Sequence, residues 1–142
     1  MESLYKKRVL IAATSKDLLR SLNICLRTNG CYTILARDAV KAMSLAMTEL
    51  PDVILMDSGL PQGDTYRLVK RLQSVPATNS IPIIIVQAES SSIQLISIQT
   101  PTAQAYIQMP LHTQELLETV QSVLYSHVSP HYLDTSIQDI AA

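Results

Sequence analysis

Short apolar runs alternate five times along this chain with stretches whose apolar residues recur at helical spacing. Arg8 to Ala12 reads as a first strand. Ser15 then caps a helix that carries Leu18, Leu19, Leu22, Cys25 and Leu26 on one face. Asn29-Gly30 closes it, because glycine suits the left-handed position that ends a helix. Tyr32 to Ala36 is a second strand, and Asp38 caps a second helix with Val40, Met43, Ala46 and Met47 inward. Leu50-Pro51 stops that helix, since the residue before proline is pushed out of the helical region. Val53 to Asp57 is a third strand, and Asp64 caps a helix bearing Tyr66, Leu68, Val69 and Leu72. Ile81 to Ala88 is a fourth strand, apolar enough to be buried on both faces. Ala105 to Gln108 is a short fifth, and Thr113 opens a last helix with Leu116, Leu117, Val120, Val123 and Leu124. Strands that alternate with helices in this way predict an α/β fold, a parallel sheet with helices on both faces.

Two stretches break the pattern. Between Ser90 and Thr100 the apolar residues Ile93, Leu95, Ile96 and Ile98 match neither period, and Pro101 follows. A short, distorted or mobile fourth helix is expected there. Beyond His127 the chain loses apolar periodicity, so residues 1–127 are read as one domain and residues 128–142 as a C-terminal tail.

Length and composition narrow the function classes. A chain of 142 residues, 47% apolar, supports one domain with a real core. No apolar run approaches the roughly 20 residues of a membrane span, so no membrane association is expected. Cys25 and Cys31, with no secretory segment, point to a reducing, cytoplasmic location. All 11 lysines and arginines lie between Lys6 and Arg71. Up to Arg71 there are 11 basic and 7 acidic residues, a balance of +4. Beyond it 5 acids and no base remain, a balance of −5. A late surface of that kind does not neutralise phosphates, which argues against nucleic acid as a partner.

The run Val53-Ile54-Leu55-Met56-Asp57 ends in a carboxylate at the carboxyl end of a buried strand, where α/β folds collect ligands. The segment Pro51 to Asp57, followed by Leu60-Pro61 and Asp64, resembles the receiver domain of two-component response regulators, the CheY-like family. Ile81-Pro82 before the fourth strand, with Tyr106 and Pro110 around the fifth, extends the resemblance from about Lys7 to about Tyr125. It implies a flavodoxin-like (βα)5 receiver fold with strand order 2-1-3-4-5. It also implies a role in phosphorelay signal transduction rather than an enzyme.

In active members an aspartate at the position of Asp57 accepts a phosphoryl group from a histidine kinase. Two acids after strand one hold Mg²⁺, a lysine after strand five and a hydroxyl on strand four hold the phosphoryl oxygens, and an aromatic relays the change. Carried onto this chain, the acids fall at Ala13 and Thr14, the hydroxyl at Gln87, the lysine at Met109 and the switch aromatic at Tyr106. The glycine after Asp64 is Thr65. The resemblance is therefore to a degenerate pseudo-receiver that keeps only the acceptor carboxylate. No metal and no cofactor are expected, Mg²⁺ entering only if Asp57 is phosphorylated after all.

Lys16, just past the first strand, is the candidate cation for Asp57. A solvated first-turn lysine is the simpler account. Gln87 is a candidate donor to the same carboxylate. Asp17 favours the helix dipole more simply than it serves a metal. His127 and His131 have helical metal spacing, but Pro130 separates them. Ser15, His112 and Asp57 suggest no nucleophilic triad, for lack of a base beside the hydroxyl.

The first expectation is a stand-alone receiver-like domain that signals through phosphorylation-independent contact with a protein partner, a signalling protein or kinase. The contact would use the face made by helix four, strand five and helix five. That face includes Gln94, Gln104, Gln108, Gln114, Glu115, Glu118 and Gln121, with no base among them. The alternatives are a weak phosphoacceptor response regulator in a phosphorelay using Asp57, and a small-ligand module in the vacated pocket.

Overall fold

The structure, a computed structural model, describes residues 3–87, 103–109 and 112–125. The helix expected over residues 90–100, with Gln94, lies outside these residues. So do Ala88, Pro110, His127, His131 and the tail.

Five strands, β1 (Arg8–Ala12), β2 (Tyr32–Ala36), β3 (Val53–Asp57), β4 (Ile83–Gln87) and β5 (Ala105–Gln108), form one parallel sheet in the order 2-1-3-4-5. Each neighbouring pair is parallel, with Ala12 beside Met56, Asp57 beside Val86 and Gln87 beside Gln108. Four described helices cover the sheet: α1 (Lys16–Thr28), α2 (Ala39–Glu49), α3 (Asp64–Ser74) and α4 (Thr113–Tyr125). This is the architecture expected from the sequence.

Side-chain alternation along the strands divides the core in two. Val9, Ile11, Val53, Leu55, Ile84 and Val86 pack with Leu19, Leu22 and Leu26 of α1 and Leu116 and Val120 of α4. Leu10, Ile54, Met56, Ile83 and Ile85 pack with Ala42, Met43 and Ala46 of α2 and Leu68, Val69 and Leu72 of α3. β3 and β4 are buried along their whole length, as the continuous apolar runs require.

The helix ends follow the local chemistry. Ser15 accepts from the Leu18 N–H, Asp38 accepts from the Lys41 N–H, and Gly30 takes a left-handed φ of 93°. Leu50 itself turns left-handed, with φ 45°, to end α2 ahead of Pro51.

Four expectations are corrected. Val40 is 83% exposed and Met47 46% exposed, because α2 buries the narrower stripe of Ala42, Met43 and Ala46. Tyr66 also faces outward, with the Lys70 ammonium 5.3 Å from its ring centroid. Asp64 is the first helical residue rather than the cap. Gly63 occupies the cap position, and Asp64 pairs with Arg67 at 2.8 Å. β4 begins at Ile83, since the Ile81 N–H is drawn into a turn by the Thr78 carbonyl and Pro82 has no N–H to give.

Candidate functional site

Asp57 ends the central strand, and its backbone position is set by two devices on the segment that follows. The Ser58 N–H donates to the Val86 carbonyl at 2.9 Å, which carries the β3–β4 ladder one residue past the strand. Thr65, at the first turn of α3, donates its hydroxyl to the Asp57 carbonyl at 2.8 Å and accepts from the Leu60 N–H at 3.3 Å. The threonine that replaces the family glycine thus ties the acceptor strand to α3. Its role as a staple carries no signal in the sequence beyond the departure from glycine.

The carboxylate is buried, with 7% of the residue exposed. Its Oδ1 accepts from the Gly59 N–H at 2.8 Å. A Cβ at position 59 would lie 3.3 Å from that oxygen, tighter than most real contacts. Among the described residues no ion pair reaches Asp57. Burial raises its pKa from the ordinary 3.8, opposed by the Gly59 hydrogen bond.

That shift fixes a sign. The folded chain retains a proton over a pH range in which the unfolded chain has already released it. This group's contribution to stability therefore falls as pH rises from about 3.8 through the folded midpoint, and is constant above it. Asp57→Asn keeps an acceptor for Gly59 and removes the ionisation. It is expected to be more stable than the natural chain at neutral pH, with the gap closing below the carboxylate range. Urea unfolding of both chains across this range checks it, and a gap that widens toward acid overturns it.

The other positions gather at the same end of the sheet, but the charges do not. Ala13 is fully buried and follows Ala12, the register neighbour of Met56. Thr14 is exposed, and its carbonyl accepts from Arg37 through Nη2 at 3.0 Å and Nε at 3.3 Å. Arg37, which the sequence does not single out, brings a guanidinium to the place of the acid pair, yet spends it on the Thr14 carbonyl. Met109 packs toward α1 and α4 and lines a cleft of about 100 Å³ with Cys25, His112 and Thr113. Tyr106 is half-buried against the α2–α3 side of the core.

Two candidate contacts of Asp57 are absent among the described residues, and for Lys16 the simpler account, a solvated first-turn lysine, is the one that holds. Lys16 is exposed and makes no ion pair with it. Being held in solvent leaves the lysine's hydration intact, which a buried pair would forfeit. Gln87 is fully buried, and neither its Nε2 nor its Oε1 has a hydrogen-bond partner among the described residues. Its alternation with Ile83 and Ile85 starts it on the α2–α3 face, so the amide does not close on the carboxylate by itself.

A magnesium ion needs several hard oxygens in near-octahedral array. Ala13 offers no side-chain oxygen, Thr14 faces solvent beside a guanidinium, and Asp57 stands as the lone carboxylate. The described residues do not fit the ion. No group of three or more His, Cys, Asp or Glu among them could hold any metal. A second cleft of about 700 Å³ opens at the amino ends of the strands, lined by Lys7, Asp52, Gln104, Glu115 and Glu118, away from this site.

A doubly wound sheet of order 2-1-3-4-5, with a carboxylate at the carboxyl end of its central strand, has the flavodoxin-like architecture that receiver domains share. Residues 9–121 match the response regulator receiver domain, and the chain belongs to that family. It is 28% identical over 117 residues to the protein PilH of Pseudomonas aeruginosa, covering 82% of this chain and 97% of that protein. It is 29% identical over 118 residues to the polar-differentiation response regulator DivK of Brucella anthropi, covering 83% and 96%. The solved structure of a candidate response regulator from Chloroflexus aurantiacus matches with a TM-score of 0.76 at 28% identity, over 84% of this chain and 98% of that one. No described helix is long and apolar enough to cross a membrane.

Proposed function

We propose that this receiver domain transmits signals through protein–protein contact without phosphoryl transfer to Asp57. The observation that carries the reading is the isolation of the carboxylate. It is buried, has one backbone donor, and has neither a paired cation nor a second acid at the family positions among the described residues. A phosphoryl group added there would bring more negative charge into a place that already disfavours one. Ala13, Thr14, Gln87 and Met109 are degenerate active-site positions, and Tyr106 keeps the place of the switch aromatic without an input to read.

In this reading residues 1–127 are the receiver-like unit and residues 128–142 a tail. The partner meets the surface around β5 and α4, where Gln104, Gln114, Glu115 and Glu118 are exposed. Neither element carries a lysine or arginine of its own. A cytoplasmic location accords with two free cysteines, of which Cys31 is pushed up to about 11 by burial, reinforced by Cys25, and so stays unreactive.

Incubation with radiolabelled acetyl phosphate and Mg²⁺ tests the reading. The expected result is no retained label. Stable, Mg²⁺-dependent labelling that Asp57→Asn abolishes would establish the weak phosphoacceptor instead.

A further inference from the structure

We propose that two copies of this chain associate through α2, the helices antiparallel about a two-fold axis level with Leu45. The inference goes beyond the signalling reading and does not depend on the state of Asp57. It starts from the composition of the helix. α2 carries seven apolar residues in eleven, and only Lys41, Ser44, Thr48 and Glu49 are polar. α3, of the same length, carries four, Tyr66, Leu68, Val69 and Leu72. A surface helix needs one apolar stripe, and α2 has two.

The inner stripe is already used. Ala42, Met43 and Ala46 are buried against the sheet, with Ala39 and Leu45 packed beside them. The outer one consists of Val40, Met47 and Leu50, which are 83%, 46% and 54% exposed. With Met43 at its inner edge, the row recurs at i, i+3, i+7 and i+10, the spacing of a seam between two helices. Tyr32 extends the patch at the end near Leu50, because the Arg8 guanidinium lies 4.8 Å from its ring and pairs with Glu49. No described element covers this face. Single exposed apolar residues are ordinary, whereas an aligned row of them marks a contact surface.

The order of the residues points to a second copy rather than to an unlike helix. Positions 40 and 50 are equidistant from 45, and so are 43 and 47. Antiparallel copies therefore set Val40 against the partner's Leu50 and Met43 against the partner's Met47. Each contact occurs twice, as an isologous interface requires. Charge agrees with this pairing. No ionised side chain lies in the row, and its two ends differ in sign. Arg37, Asp38 and Lys41 leave one positive charge at the amino end, while Arg8, Glu49 and Asp52 leave one negative charge at the carboxyl end. The antiparallel arrangement places each end beside its opposite and also opposes the helix dipoles. Ser44, exposed between Val40 and Met47, is small enough to let the helices approach, and methionines adapt to one another.

β2 and β5 are opposite edges of the sheet, and α2 and α4 lie on opposite faces. Association through α2 therefore leaves the surface around β5 and α4 open on both copies. A standard stable interface covers about 800 Å² of each chain, more than one short helix face offers, so the dimer is a reversible one.

Sedimentation equilibrium of the full chain over a wide concentration range tests the proposal. The natural chain is expected to pass from 15.7 kDa toward twice that mass as concentration rises. Val40→Lys and Leu50→Glu, both at exposed positions, should each keep the far-UV spectrum of the natural chain and weaken association by about tenfold or more. Combined in one chain they should associate more tightly than either alone, by about threefold or more, because the new ammonium of one copy meets the new carboxylate of the other. About 15 Å apart along one helix, the two groups do not pair within a chain. Ile24→Lys, at an exposed position of α1 across the sheet from α2, should leave association unchanged.

A natural chain that stays at 15.7 kDa throughout overturns the proposal, and covering of the stripe by residues 128–142 of the same chain would be read in this way. A dimer that survives both single substitutions in α2, or that Ile24→Lys dissolves, overturns it as well. A double variant no tighter than either single one overturns the antiparallel register.

Discussion

Ala13→Asp, Thr14→Asp, Gln87→Thr and Met109→Lys introduced together are expected to raise labelling by acetyl phosphate by at least about 100-fold over the natural chain. That factor is the usual loss when even one preorganised electrostatic group is removed from a reaction centre. The fold is already in place for the change. Ala12 sits beside Met56 in the β1–β3 register, so acids at positions 13 and 14 enter at the end where Asp57 lies. The Met109 N–H donates to the Gln87 carbonyl at 2.9 Å, which fixes the backbone from which a lysine would reach over the site.

Thermodynamic cost accompanies the gain. New carboxylates beside a buried one repel it, so the variant should be less stable than the natural chain in chelator and should recover when Mg²⁺ is added. Thermal melts with and without Mg²⁺ give an independent measure of metal binding. A variant that folds, is stabilised by Mg²⁺ and still takes no label would show that charge alone does not separate this chain from an active receiver. The Arg37 guanidinium on the Thr14 carbonyl, or the Thr65 tie on the Asp57 carbonyl, would then be the next features to remove.

The strands are legible in the sequence because continuous apolar runs such as Val53 to Met56 have no stable place other than the middle of a covered sheet. Helix starts at Ser15 and Asp38 are legible because their side-chain oxygens answer a local need of the first turn. Val40 and Met47 mislead for a reason the sequence conceals. α2 meets the sheet through the small residues Ala42 and Ala46, and close approach leaves larger neighbours outside. The positions around Asp57 follow from the resemblance, but their contacts do not. Lys16 lies only two residues past Thr14 in sequence, yet its hydration outweighs a pair with a buried carboxylate. Arg37 and Thr65 act through the backbone carbonyls of Thr14 and Asp57. Contacts to main-chain groups depend on where strands end in space, and residue type announces them weakly.

Gln87→Leu is expected to stabilise the fold by about 1–3 kcal/mol, the desolvation penalty of a buried polar group that has no partner among the described residues. Gln87 ends a strand whose other members are three isoleucines and a valine, and it is as buried as they are. Leucine keeps roughly the same bulk, removes the orphaned amide and adds apolar burial against the α2–α3 side of the core. Chemical denaturation of the two chains measures the difference, which should appear in the midpoint with an unchanged slope. A destabilised Gln87→Leu chain would mean that the amide has a structural partner after all.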